Sequence, residues 1–382
     1  MAKNRFVGVD LGRAIAAFAV VVIHAGGEVQ YPDALSSLAA DSLLLGTMQA
    51  CRFAVPFFLA TSFYFVVGKL LKAPKQFDII AFLKSRVTRL LVPYVLWSLI
   101  YLAVRLLKAV RTPEGIAPLF QDPVFLIFFG GAAIHLYFLP LLLTGSLLIP
   151  ALKGIIPALK KKWICILLLV MSLALYEATI VTGNNFELGV NCLEQPQQCA
   201  IAFQPLLQSV GLQNNPWMRF LSTELHWIIR CTMFIAVSVL LYHPAIQQWL
   251  ARMQQGWVWA ALFFVATLGG LLEYFKVCYF PLSLYELGVG YGPLLWGLVL
   301  SKTRSLHPLW SHLGNLSFGI YLAHYLVLVF YSTLLPKLPP IILTWPPTVL
   351  AILLATLTFV TSGAIAVGLA QQPLFRRWLL SS

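Results

Sequence analysis

The sequence predicts an all-α fold, a polytopic transmembrane bundle of about ten spanning helices. The first observation behind this is composition: 60% of the 382 residues are hydrophobic and only 10% are charged, against ~25% charged in a typical soluble domain. Mean hydropathy is +0.84. The second is length. Stretches at about 6–26, 43–70, 90–107, 126–150, 163–182, 224–242, 256–275, 281–300, 314–335 and 346–370 each suffice to cross a ~30 Å hydrocarbon core. The third is where the charge falls. With an even number of spans and a cytoplasmic N-terminus, eighteen of the 26 Lys and Arg lie on the inner side and six on the outer. That is the bias of the positive-inside rule, although Arg105, Lys108 and Arg111 run against it. The net charge of +13 is therefore read as topology, with both termini cytoplasmic, and not as a nucleic-acid surface. No linker or internal repeat divides the chain, so 1–382 reads as one transmembrane domain without a signal peptide.

The first stretch, NRFVGVDLGRAIAAFAVVVIHAGG, is apolar yet holds Asp10, Arg13 and His24. Eleven steps of about 100° return to nearly the same helix face, about 16 Å further along the axis. Arg13 and His24 thus share a stripe that runs about half the depth of the membrane core. Ionisable groups in such a setting are functional candidates. Asp10 lies one turn before Arg13 and can pair with it, which is also a purely structural use for both. An imidazole can take a proton from a hydroxyl near neutral pH, or simply bond a neighbouring helix, and both readings stand for His24.

The inner loop 69–89 is strongly basic, and Arg86 and Arg89 sit side by side at the start of the third helix. Guanidinium forks suit phosphates, and positive-inside anchoring is the alternative. The stretch 124–152 exceeds one span and contains Gly130, Gly131 and Pro140, so it is expected to be broken or partly re-entrant; His135 lies within it. The extracytoplasmic loop at about 183–223 is long and polar, and its Cys192 and Cys199 suit a disulfide if the compartment is oxidising. Cys51, Cys165, Cys231 and Cys278 read as packing residues. Glu224 and Arg230 fit either an interior ion pair or interfacial anchors, with His226 expected at the interface. Tyr321 and His324, one turn apart in the ninth stretch, face a polar cavity or close a helix–helix contact. No HExxH, CxxC, P-loop or GxSxG occurs, and the dispersed histidines propose no metal site.

Taken together, the chain resembles the acyltransferase 3 family of integral-membrane acyltransferases over nearly its whole length. Arg13 and His24 match the family's R-x10-H signature, and Arg86 and Arg89 its R-x-x-R motif, followed by LLVPYVLW. VPFFLATSFYFV is similar to the family's FFxxSGFLL stretch, with Thr61-Ser62 in place of Ser-Gly. HLYFLPLLL resembles its HLWFL segment and SFGIYLAHYLVL its SxxIYLxH segment.

The resemblance implies an enzyme that takes an acyl group, usually acetyl, from cytoplasmic acyl-CoA. The group passes to a hydroxyl or amine of an extracytoplasmic carbohydrate such as an envelope glycan. It implies His24 as general base or acyl carrier, Arg13 near the thioester, and Arg86 and Arg89 on the donor's phosphates. His135, Tyr321 and His324 would line the cavity or orient the acceptor, with Asp10 and Arg230 as further cavity candidates. The expected setting is the bacterial inner membrane, with lipid around the bundle, acyl-CoA as donor substrate, no metal, and a homo-oligomer permitted. Two other classes fit the residues: a transporter or channel using the intramembrane Arg and His, and a non-catalytic assembly partner.

Overall fold

The computed structural model describes residues 6–30, 42–111, 113, 115–185, 202–253, 255–337 and 339–380; these residues form helices and no strand. In chain order the helices begin with α1 (Val7–Gln30), α2 (Ser42–Cys51), α3 (Ala54–Lys72), α4 (Ile79–Arg86), α5 (Val92–Ala109) and α6 (Pro123–Phe128). They continue with α7 (Phe138–Leu147), α8 (Ile149–Leu159), α9 (Lys162–Val181), α10 (Gln204–Ser209), α11 (Pro216–Leu241) and α12 (Pro244–Arg252). The chain closes with α13 (Gly256–Tyr274), α14 (Leu282–Thr303), α15 (Pro308–Leu334), α16 (Pro340–Leu343), α17 (Pro347–Gln371) and α18 (Pro373–Leu379).

Among the described residues, eight segments are long and apolar enough to cross a membrane, counting α2 with α3 and α4 with α5 as single segments. A ninth forms if α7, with the turn before it, and α8 are one span bent by 41°. α14 fills the remaining place in the expected set. It is 22 residues long but holds Glu286, and its residues from Ser283 to Gly297 are largely buried. A helix enclosed by others need not be apolar all round, whereas one facing lipid must be. The outward faces show that requirement: Ile166, Leu167, Val170, Met171 and Leu175 of α9 are exposed, as are Phe264, Val265 and Leu268 of α13. Contiguous exposed apolar surface on this scale belongs in hydrocarbon, not water.

The chain divides into two compact units, one of Met1–Thr61 with Arg252–Leu380 and one of Ser62–Ala251, with α3 running across the division. In the first unit α1 packs on α2, α14, α15 and α17. Its Ala14, Ala16, Ala17, Ala19, Val20 and Val21 are buried, and these small side chains let neighbouring backbones come close. The backbones approach closely at Gly8 and Gly297, where a Cβ on Gly297 would lie 2.8 Å from the Gly8 carbonyl oxygen. The Gly8 N–H also donates to Ser301 Oγ at 2.8 Å. At Gly314 of α15 a Cβ would come within 2.5 Å of Asp10 Cβ.

In the second unit α11 packs on α9 and α7. Asn215 caps α11, its Oδ1 accepting from the N–H groups of Trp217 at 3.0 Å and Met218 at 3.2 Å. Asp122 caps α6 through the Phe125 N–H at 3.0 Å and also receives Arg219 Nη2 at 2.5 Å, which ties the starts of α6 and α11 together. α11 begins at Pro216, eight residues before the span expected at 224, so the outer connection is shorter than the sequence suggested. Cys192 and Cys199 lie outside the described residues. Cys165 and Cys231 are buried packing residues, as expected, with Cys51 half-buried and Cys278 exposed; all four are free thiols.

The third span departs from expectation in a way that matters for its arginines. α4 opens at Ile79, capped by Asp78 Oδ1 accepting from the Ala81 N–H at 3.0 Å, and runs through a π-helical turn at Val87–Leu91 into α5. The basic stretch is therefore helical from residue 79, with Lys84, Ser85 and Arg89 exposed and Leu90 turned inward.

Gly297→Leu should lower unfolding stability by about 1–3 kcal/mol through overpacking. The check is a lower thermal midpoint in detergent. Gly363→Ala, where the added Cβ has only Ile320 Cδ1 at 3.8 Å, serves as the tolerated control. Equal midpoints for the two variants would contradict the close contact.

Candidate functional site

α1 is continuous from Val7 to Gln30, so the eleven-residue spacing of Arg13 and His24 is realised as three turns of unbroken helix. Both residues are half-buried, while the alanines and valines between them are mostly buried. Arg13 Nη1 lies 3.7 Å from Asp10 Oδ1, with the Arg13 side chain 35% exposed and the Asp10 side chain 10%. The expected pair therefore forms. The carboxylate sits inside, beneath Gly314, and holds a guanidinium whose outer part remains accessible.

Three turns further along, His24 meets α15. Its ring centroid is 5.3 Å from that of His324 and 5.6 Å from that of Tyr325, the latter edge-on. His324 is fully buried, and its Nδ1 is 2.6 Å from the Tyr321 carbonyl oxygen. Tyr321 is buried as well, its ring centroid 6.0 Å from that of His324. The first unit thus assembles His24, Tyr321, Tyr325 and His324 from two helices distant in sequence. Tyr325 went unremarked in the sequence, although His-Tyr inside an apolar helix is a signal. Glu286, a carboxylate buried in α14, is another that its apolar setting flags.

The second unit holds the other expected residues. Arg86 is half-buried, with its guanidinium 5.3 Å over the Phe82 ring, while Arg89 is exposed. The π turn between them uses i→i+5 hydrogen bonds and widens the helical step, so the two are spread further round the axis than on a regular α-helix. His135 is buried on a 3-10 turn at Ile134–Tyr137, with Tyr101 of α5 edge-on at 5.2 Å. Arg230 is half-buried on α11. Its expected alternative partner Glu224 instead accepts from Thr144 Oγ1 of α7 at 2.7 Å. His226, expected at the interface, is in the interior of its unit, 5.8 Å from the Tyr176 ring. The reason is helical phase: His226 shares the face of Thr223 and Trp227 that α11 turns inward.

The segment carrying His135 is broken, as its glycines predict. Gly130 has φ +77°, a conformation that a side chain would strain. A backbone that leaves the helix at membrane depth needs partners from surrounding protein. α5 supplies them. Tyr94 donates its hydroxyl hydrogen to the Ile127 carbonyl at 2.7 Å and accepts from the Gly130 N–H at 3.0 Å, while Arg105 Nη1 donates to the Gly131 carbonyl at 3.1 Å. Arg105, which ran against the charge rule, thus serves this turn.

A helical bundle with apolar outer faces defines a polytopic membrane protein, and its first helix carries the polar residues Asp10, Arg13 and His24. A family model described as an acyltransferase domain matches residues 6–367, and the chain belongs to this acyltransferase 3 family. Among curated proteins it is similar to a serine/alanine racemase of Enterococcus gallinarum, 27% identical over 329 residues. That match covers 84% of this chain but only 40% of the racemase. No solved structure matches.

Tyr94→Phe should leave the Gly130 N–H without its acceptor, at a cost of about 1–3 kcal/mol. Amide hydrogen exchange at residues 127–131 should speed up, with little change in α13 or α17. Unaltered exchange there would show that Tyr94 does not hold the turn.

Proposed function

We propose that the protein is a membrane acyltransferase that moves an acyl group, acetyl first among them, from cytoplasmic acyl-CoA to a hydroxyl of an extracytoplasmic carbohydrate. The observation that carries this reading is the half-buried His24 on α1, backed by His324 and Tyr325, in a chain that belongs to an acyltransferase family.

His24 acts as general base. It takes the proton of the acceptor hydroxyl as that oxygen attacks the thioester carbonyl. The C–O bond forms, the C–S bond breaks, and the proton passes from His24 to the departing thiolate, giving the ester and free CoA. An amine acceptor follows the same balance. Arg13, held by Asp10 about 16 Å along α1 from His24, lies on the accessible side of its pair and is proposed to hold the donor on its way to His24. Arg86 and Arg89 suit the donor's phosphates: both are cationic, one half-buried and braced on Phe82, the other exposed. His135, Tyr321 and Arg230 are proposed to shape the path of the acceptor or donor arm. The proposed setting is a bacterial inner membrane with both termini inside, on the strength of the inner excess of Lys and Arg. The racemase relative is a longer protein, and racemisation is not carried over to this chain.

Purified protein in detergent, given acetyl-CoA and an envelope polysaccharide fraction, should release free CoA and yield acetylated glycan by mass spectrometry. His24→Ala should reduce the rate by at least roughly 100-fold, the usual scale of a lost general base, with the protein still monodisperse. Full activity in His24→Ala would remove His24 from the chemistry.

A further inference from the structure

We propose that α18 is a binding site for anionic phospholipid, with its apolar face set into the boundary of the bilayer and Arg376 and Arg377 on lipid phosphates. This inference is independent of the acyl-transfer reading.

The local sequence makes a short helix set apart from the span before it. α17 ends at Gln371, Gln372 is extended at φ −94° and ψ 117°, and Pro373 opens α18. A residue before proline is pushed out of the helical region, so the two helices do not run on as one. At about 100° per residue, Leu374, Phe375, Trp378 and Leu379 fall within an arc of about 140°. Arg376 and Arg377 lie on the rest of the circumference, each beside one edge of that arc.

Packing fixes one end of α18 and leaves its apolar face bare. The helix lies against α17. Leu380, just beyond it, is buried, and its Cδ2 is 3.0 Å from where a Cβ on Gly319 of α15 would stand. Leu374, Phe375 and Trp378 nevertheless remain exposed, as do both arginines. The Arg377 guanidinium sits 5.0 Å over the Trp378 ring, at the rim of the apolar face. No Asp or Glu follows Glu286 in the sequence, so α15, α17 and α18 offer these arginines no carboxylate.

Exposed Leu, Phe and Trp beside paired arginines is the composition of a helix that lies in the membrane plane. Tryptophan favours headgroup depth, and arginine side chains reach from there to phosphates, which their planar forks suit. The position agrees. Gly314 approaches Asp10 and Gly319 approaches Ala366, so α17 ends level with the starts of α1 and α15. The excess of Lys and Arg assigns that end to the cytoplasm, where the leaflet surface is negative. A second copy of the chain fits less well. Three side chains on a seven-residue helix fall short of the roughly 800 Å² per partner that a stable protein interface buries.

The test places a benzophenone amino acid at position 375 of the full-length protein, in bilayers of equimolar phosphatidylglycerol and phosphatidylcholine. The same probe at position 264, exposed on α13, gives the reference ratio of the two lipids. After illumination, position 375 should carry phospholipid, with phosphatidylglycerol enriched roughly three- to tenfold over the reference. In the double variant Arg376→Gln/Arg377→Gln the enrichment should vanish while lipid cross-linking remains. A wild-type lipid ratio equal to the reference, a second protein chain as the main product, or no lipid adduct overturns the proposal. Enrichment that persists in the double variant overturns it as well. So does loss of the enrichment on adding inorganic phosphate at constant ionic strength, which would assign the arginines to a soluble phosphate. The wild-type results decide the matter even if the double variant folds poorly.

Discussion

The seating of α1 against its neighbours is the constraint on which the first unit depends. This helix carries an acid, a guanidinium and an imidazole, so it cannot face lipid on all sides. It is accommodated by backbone-to-backbone approach. Gly8 meets Gly297 of α14, and Gly314 of α15 lies over Asp10, with buried alanines filling the rest of the surface. Between helices in a membrane, dispersion contacts and hydrogen bonds take over the work that water expulsion does in soluble proteins. Small residues therefore fix the distance at which His24 meets His324, while the Arg13–Asp10 pair is set within α1 itself by its i,i+3 spacing. Larger side chains would separate the helices and disperse the polar groups.

The sequence showed the helical fold and most of the spans because lipid imposes apolar stretches of known length. First, second, fifth and seventh spans, for example, begin within a residue or so of the expected positions. The stretch at 281–300 is helical as expected, as α14, even though its enclosure in the unit lets glycines and Glu286 dilute the apolar signal. The third span starts near residue 79 and not 90, because Lys84, Arg86 and Arg89 look like a loop when counted as charges. In the structure most of them project from a helix that keeps Leu90 inside. The π turn between the arginines has no sequence signature and changes how they are displayed.

The candidate site was legible in part for the same reason. Helical spacing is enough to align Arg13 with His24 and to pair Arg13 with Asp10. It says nothing of which distant helix lies opposite, so the approach of His324 and Tyr325 to His24 emerged only from packing. His226 shows the converse: a histidine near a helix start looked interfacial, while its phase on α11 turns it inward beside Tyr176. Tyr94 and Arg105 were invisible as partners of the Gly130 turn, since their role depends on a backbone that leaves the helix 25 or more residues later.

In the proposed reaction a bulky anionic donor and its acceptor stand on opposite sides of a membrane, and only the acyl group passes between them. Proteoliposomes carrying the protein in a defined orientation, with ¹⁴C-acetyl-CoA added outside and envelope polysaccharide sealed inside, test that claim directly. The expected result is labelled polysaccharide within the vesicles and free CoA outside, both dependent on His24. CoA accumulating inside, or label reaching polysaccharide only when donor and acceptor share one compartment, would contradict it.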